Sequence, residues 1–348
     1  MKHLILLAAF SSALLAQPRR LKVLLLYDME GVSGATTYRH TTVSHPAEYG
    51  EGRKSLTADV NAAIAGLKAA GATEIVVVDG HGSGNTAGPD VLEDQLLPPA
   101  KMHYRDTPFD IYMDSYDHSI DAIVAVAMHA GAGNRAGFLS HTYALADVEY
   151  KVNGVPFNES MILAQGAARL KIPLLMVSGD DQLEKEVRRN LPWVEYATVK
   201  HAVDRTRAEP FARDEVSRRI ENASRAGLQK LAQARLPELP GPYRFAVTFQ
   251  DEPQARQAAL LPAAELLADG RTVEIRADDF EGGYRRSRRL IELASAIGAS
   301  TAAFTVLNTE PNAAELRVKL ADRLYARFLG LEPPPAAPPA PARYWGAR

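Results

Sequence analysis

LKVLLLYDMEG, residues 21–31, is a largely apolar run that ends abruptly in two carboxylates, Asp28 and Glu30. Continuous rather than alternating hydrophobicity marks a strand buried on both faces of a parallel sheet. Two more runs of this kind follow, EIVVVD at Glu74–Asp79 and DAIVAVAM at Asp121–Met128. Between the first two, Leu56, Val60, Ile64 and Leu67 recur at helical spacing from Pro46 to Ala70, and Gly71 closes the helix. Strand, helix, strand in this order is the grammar of an α/β fold, a mostly parallel sheet with flanking helices.

Further along, VEYKV and VPF flank Asn153-Gly154, the preferred pair for a tight hairpin turn. Asn158 can then cap a helix from Glu159 to Leu170, followed by a buried strand at Ile172–Val177. Past about Lys200 the pattern changes to long helices and isolated strands. Helices are expected at Arg207–Ala234, Gln254–Ala268, Phe280–Ile297 and Ala313–Leu329, with strands at Tyr243–Phe249 and Thr272–Ala277. The implied organisation is a catalytic α/β domain over residues 17–200 and a second α+β layer or domain over 201–331. The Pro/Ala-rich tail from Glu332 to Arg348 is expected to be disordered.

The 348 residues can bury a sizeable core, and a net charge of −2 gives no basic field for nucleic acid. A weakly basic head, Met1–His3, precedes an apolar run from Leu4 to Leu15, small Ala16 and polar Gln17–Arg20. That layout reads as a signal peptide over residues 1–16 and a secreted or periplasmic product with no stable membrane association after cleavage. The apolar run is too short for a spanning helix, which needs roughly 20 residues. The chain has no Cys, so any metal site must be built from His and carboxylates, which favours hydrolytic zinc chemistry over iron–sulfur clusters.

In a parallel α/β sheet, functional groups collect beyond the carboxyl ends of the strands. The first buried strand delivers Asp28 and Glu30 there, the second Asp79 and His81, the third His129; His141 and Glu159 follow. If Asp28 and Glu30 lie in extended backbone, being two apart they point to the same side. Two carboxylates pressed together repel, and cations remove that penalty.

The segments YDMEGVSG, VDGHGSGN, MHAGAG, FLSHT, VNGVPFNE and LLMVSGDD occur in that order over residues 23–181. Together they resemble the successive motifs of the D-aminopeptidase family of dinuclear zinc metallopeptidases, peptidase family M55. The resemblance implies two Zn²⁺ per subunit, with Asp28 as the bridging carboxylate and Glu30, His81, His129 and Glu159 as the remaining ligands. It places His141 at the catalytic position, as nucleophile or base. For Asp79 an orienting contact behind the ligands is favoured over direct ligation. It further implies a small-peptide substrate with a D-amino acid such as D-Ala at its N-terminus, and a homo-oligomer, in the family a decameric ring.

Other readings compete. A different dinuclear hydrolase, an amidase or phosphoesterase, uses the same ligand types, and a periplasmic metal- or solute-binding protein needs no catalytic His141. GHGSGN lacks the GK[ST] ending of a phosphate loop, and neither Ser33 nor Ser83 sits in G-x-S-x-G. Asp180-Asp181 is expected to start a helix. The cluster Arg285, Arg286, Arg288, Arg289 reads as a solvated helix face, or else a subunit contact or channel lining.

Overall fold

The structure, a computed structural model, describes residues 20–331 and 343–346. The expected signal peptide, Glu332 to Ala342 and the last two residues lie outside the described residues.

In chain order the elements are β1 (Lys22–Tyr27), α1 (Pro46–Ala69), β2 (Glu74–Asp79), β3 (Ala100–Met102), β4 (Ala122–Met128), β5 (Asp147–Val152), β6 (Val155–Pro156), α2 (Glu159–Ala168), β7 (Leu174–Asp180) and α3 (Asp181–Asn190). There follow β8 (Glu195–Asp204), β9 (Arg207–Pro210), α4 (Arg213–Gln229), β10 (Tyr243–Phe249), α5 (Glu252–Ala258), β11 (Ala264–Leu266), β12 (Thr272–Ala277), α6 (Phe280–Thr309) and α7 (Ala313–Phe328).

Seven strands form one sheet in the order β3-β2-β1-β4-β7-β8-β9, parallel except for β9. Five form a second, antiparallel sheet in the order β11-β12-β10-β5-β6. The class is therefore α/β with an additional α+β layer. Within β1 the side chains alternate between two cores. Val23, Leu25 and Tyr27 pack with Leu56, Val60 and Ile64 of α1 and Val216 and Ile220 of α4. Leu24 and Leu26 face a core shared with α2, α3, the second sheet and α6. Burial on both faces is why β1 reads as unbroken hydrophobicity.

The hairpin forms as its turn chemistry requires. Asn153 and Gly154 take φ 51° and 80°, the left-handed conformation these residue types tolerate. Asn158 caps α2, its side chain accepting from Met161 N, and Asp180 caps α3 through Gln182 N and Leu183 N.

Some expectations need correction. Arg207–Pro210 is strand β9, paired antiparallel to β8, and the helix expected from Arg207 begins at Arg213. The helix expected at Gln254–Ala268 ends at Ala258, because Pro262 cannot continue it, and Ala264–Leu266 joins the second sheet. The division expected near residue 200 falls inside β8, and α4 still packs on the first sheet. Sheet membership instead changes at the β5–β6 hairpin and again at β10. Within the tail expected to be disordered, Tyr344 and Gly346 form β-bridges to Arg105 and Asp79.

Candidate metal centre

The carboxyl ends of β1, β2 and β4 lie side by side, because β1 pairs in parallel with both neighbours. Asp28 leaves β1 with its N–H on Val126 O, 3.0 Å away. Gly31 N then reaches Ala127 O at 2.8 Å, so close that a Cβ on Gly31 would fall 2.0 Å from Met128 O. Only glycine lets the Asp28–Glu30 turn lie against β4.

β4 ends irregularly. Its register against β7 shifts between Ala125 and Met128, and Ala127 takes φ 61°, a strained conformation for a residue with a Cβ. An irregularity of this kind re-aims the next side chains, here His129. Strain recurs around His141, where Leu139 and Tyr143 take φ 48° and 73°.

Six side chains expected to act together do meet. Asp28, Glu30 and His81 form one group of candidate ligands, and His129, His141 and Glu159 a second, with the ligand atoms of each group within 4.8 Å of one another. Asp28 joins the two: its Oδ1 lies 3.0 Å from His81 Nδ1 and its Oδ2 3.3 Å from His129 Nε2. Glu30 Oε2 is 3.2 Å from His81 Nδ1, and Glu159 Oε2 is 3.4 Å from His129 Nε2. The His129 and His141 rings stack with centroids 4.0 Å apart and planes 10° from parallel.

Each imidazole has its other nitrogen committed to a backbone carbonyl: His81 Nε2 to Thr41 O at 2.8 Å, His129 Nδ1 to Ala130 O at 3.0 Å and His141 Nδ1 to Leu139 O at 2.9 Å. A carbonyl accepts, so that nitrogen carries a proton, and its opposite faces the centre, where it can offer a lone pair to a cation once it carries no proton itself.

Asp79 closes β2 directly behind His81, which lies in the loop that follows. Its Oδ1 accepts His81 N at 2.9 Å and its Oδ2 accepts Asp90 N at 2.8 Å. Burial and the nearby Asp90 push its carboxyl well above the usual range.

Three participants carried no sequence signal. The Tyr112 hydroxyl donates to Glu159 Oε2, and Tyr143 N donates to Glu159 Oε1 at 2.6 Å. Lys200, fully buried, donates to Glu30 O at 2.5 Å, Val32 O at 2.9 Å and Ala35 O at 3.0 Å. Its ammonium thus braces the Glu30 turn from β8, and burial presses its pKa down to about 7. A lone Lys in the middle of a strand of mixed polar and apolar residues gives no hint of this. The arginine cluster is also not simply a solvated face: Arg285 pairs with Asp114 at 2.6 Å, and Arg288 pairs with Asp110 and lies over the Tyr143 ring at 4.8 Å.

The donor set fits divalent cations. Asp28, Glu30 and Glu159 are buried carboxylates, and Glu30 Oε2 and His129 Nε2 are buried with no hydrogen-bond partner among the described residues. Polar atoms left so are costly unless something satisfies them. Carboxylate oxygen and imidazole nitrogen without thiolate suit zinc. Protonated rings balance the same charge in the free chain. Burial presses His81 and His129 toward neutrality, but Glu30 and Asp28 outweigh it at His81, and Glu159 and Asp28 at His129, holding both well above the usual imidazole range. Burial works to raise Asp28, Glu30 and Glu159, and the imidazoles outweigh it and hold all three below the usual range.

Such a centre at the carboxyl end of a parallel sheet defines the class: a metal-dependent hydrolase built on an α/β scaffold. The sequence profile of the D-aminopeptidase family, Peptidase_M55, matches residues 21–288, and the chain belongs to that family. It is 27% identical to the D-aminopeptidase of Bacillus subtilis (strain 168) over 275 residues, 79% of this chain and 98% of that protein. Its fold matches the solved structure of the Zn-dependent D-aminopeptidase DppA from Bacillus subtilis, described as a self-compartmentalizing protease. The TM-score is 0.72 with 25% identity, over 79% of this chain and 98% of the other. The chain is thus a peptidase hydrolase of a zinc-dependent family.

Proposed function

We propose that the chain is an exported aminopeptidase that holds two zinc ions per subunit and removes D-amino acids, D-Ala foremost, from short peptides. The observation that carries the dinuclear reading is Asp28, whose two carboxylate oxygens face two different imidazoles, one in each ligand group. Asp28, Glu30 and His81 would hold one ion, and Asp28, His129 and Glu159 the other. Zinc bound there supplies Lewis acidity, polarising a carbonyl and lowering the pKa of water toward about 7.

The chain's own residues do the rest. His141, anchored through Nδ1 on Leu139 O, offers Nε2 as a base to take a proton from the attacking water and return it to the leaving amine. Because His141 also stands within the second ligand group, zinc retention in His141→Ala separates base from ligand. Tyr112 and Tyr143 N keep both Glu159 oxygens oriented. Export rests on the sequence of residues 1–20, and self-association on the self-compartmentalizing relative.

The test is metal analysis of the purified chain alongside hydrolysis of D-Ala-p-nitroanilide, L-Ala-p-nitroanilide and p-nitrophenyl phosphate. Two zinc ions per chain and a clear preference for the D-anilide are expected. Preferential turnover of the phosphate ester would establish the phosphoesterase reading instead.

A further inference from the structure

The last described residues return to the sheet end that carries the centre. Tyr344 and Arg105 exchange both backbone hydrogen bonds at 2.8 Å, and Asp79 N donates to Trp345 O at 3.1 Å. Trp345 is 6% exposed and joins the core beneath α1. Gly346 lies against Asp79 so closely that a Cβ would fall 1.7 Å from Asp79 O. Arg343 adds its guanidinium over the Tyr104 ring at 5.6 Å. The segment is thus inserted between the ends of β2 and β3, bridging to Asp79 on one side and Arg105 on the other. It lies beyond residue 288, where the family match stops, so it is an addition to the shared fold.

We infer that Tyr344–Trp345–Gly346 is a positioning strand for His81. The route is short. The segment fixes the backbone of Asp79, and Asp79 Oδ1 accepts His81 N at 2.9 Å. His81 in turn faces Asp28 and Glu30. Without the segment, Asp79 N and both backbone groups of Arg105 lose their partners. Unmade hydrogen bonds and a hole of indole size would then open at the root of the His81 loop. The hydrogen bonds of the segment run to the backbone of Asp79 and Arg105, so its effect on the centre is argued through Asp79. The link to zinc rests on the function proposed above; the link to Asp79 and His81 does not.

The test uses full-length Trp345→Ala, Gly346→Val and Trp345→Phe in two arms. In the metal-free chain, hydrogen exchange is read at the Asp79, His81 and Arg105 amides, with β7 and β8 as the reference for global stability. With zinc, affinity is read by chelator competition. Trp345→Ala and Gly346→Val are expected to speed exchange at the three amides but not in β7 or β8. They should weaken zinc binding by about tenfold or more, in line with loss of a partner behind a ligand, and Trp345→Phe should restore both. Unchanged exchange at His81 in both disruptive variants overturns the inference. So does faster exchange with zinc affinity intact, which would make the segment mere packing. A wild-type chain that binds no zinc would defeat the proposed function, and the exchange arm would still decide whether this segment positions His81.

Discussion

Asp28 touches both imidazoles, so its removal should be felt by the whole centre rather than by half of it. Asp28→Ala is expected to lose zinc and turnover together; full occupancy by elemental analysis would refute the bridging role. His141→Ala should keep two zinc ions while kcat drops by about 10²–10⁴, the usual worth of a positioned acid–base group. Unchanged kcat would remove His141 from the mechanism, and loss of one ion would make it a ligand. Lys200 is a different case, because its ammonium satisfies three carbonyls of the Glu30 turn at once. Lys200→Met is expected to cost roughly 2–4 kcal/mol, since those acceptors stay buried without a donor. Thermal unfolding of the metal-free variant measures this, and an unchanged Tm would show that the brace carries no load.

Among the elements, those with one dominant local cause could be read from sequence. β1, β2 and β4 are buried on both faces and show it as unbroken apolar runs. α1 shows a helical period, and the β5–β6 turn has Asn153-Gly154. Four of the candidate ligands could be placed for the same reason, as Asp28, Glu30, His81 and His129 sit just past β1, β2 and β4. What was missed depends on distant partners. Arg207–Pro210 becomes a strand only because β8 offers an edge, and Lys200 finds its acceptors some 170 residues away in sequence. Trp345 sits in a Pro/Ala-rich tail whose composition argues against any docking. Asn158 is where local and distant roles meet. It caps α2 through Met161 N at 2.9 Å and donates to Glu186 at 2.7 Å. Asn158→Ala should therefore cost about 1–2 kcal/mol and loosen Glu159 at the first turn. A lower Tm with weaker zinc binding is the expected pair of readouts, and a Tm within error of wild type would count against the cap.

At the scale of the whole molecule, metal, protons and stability are linked. With pKa values well above the ordinary imidazole range, His81 and His129 hold protons in the metal-free chain at neutral pH, and ligation must displace them. Zinc binding should therefore release protons and tighten as pH rises, as read by calorimetry in buffers of different ionisation enthalpy; heat independent of the buffer would contradict this. A raised histidine pKa contributes stability that is full below about 6.5 and lost as pH climbs through the folded value. The metal-free Tm should fall on the alkaline side, and zinc should offset the fall, by about 2.7 kcal/mol at a hundred times its Kd. The β5–β6 hairpin lies between His141 and Glu159, yet β5 pairs with β10 at Tyr243–Phe249. A growing polypeptide therefore cannot secure the stretch joining these two side chains until nearly a hundred further residues have been made. The half of the centre that holds His141 and Glu159 is thus expected to mature later in synthesis than the half built by Asp28, Glu30 and His81, which needs only β1 and β2.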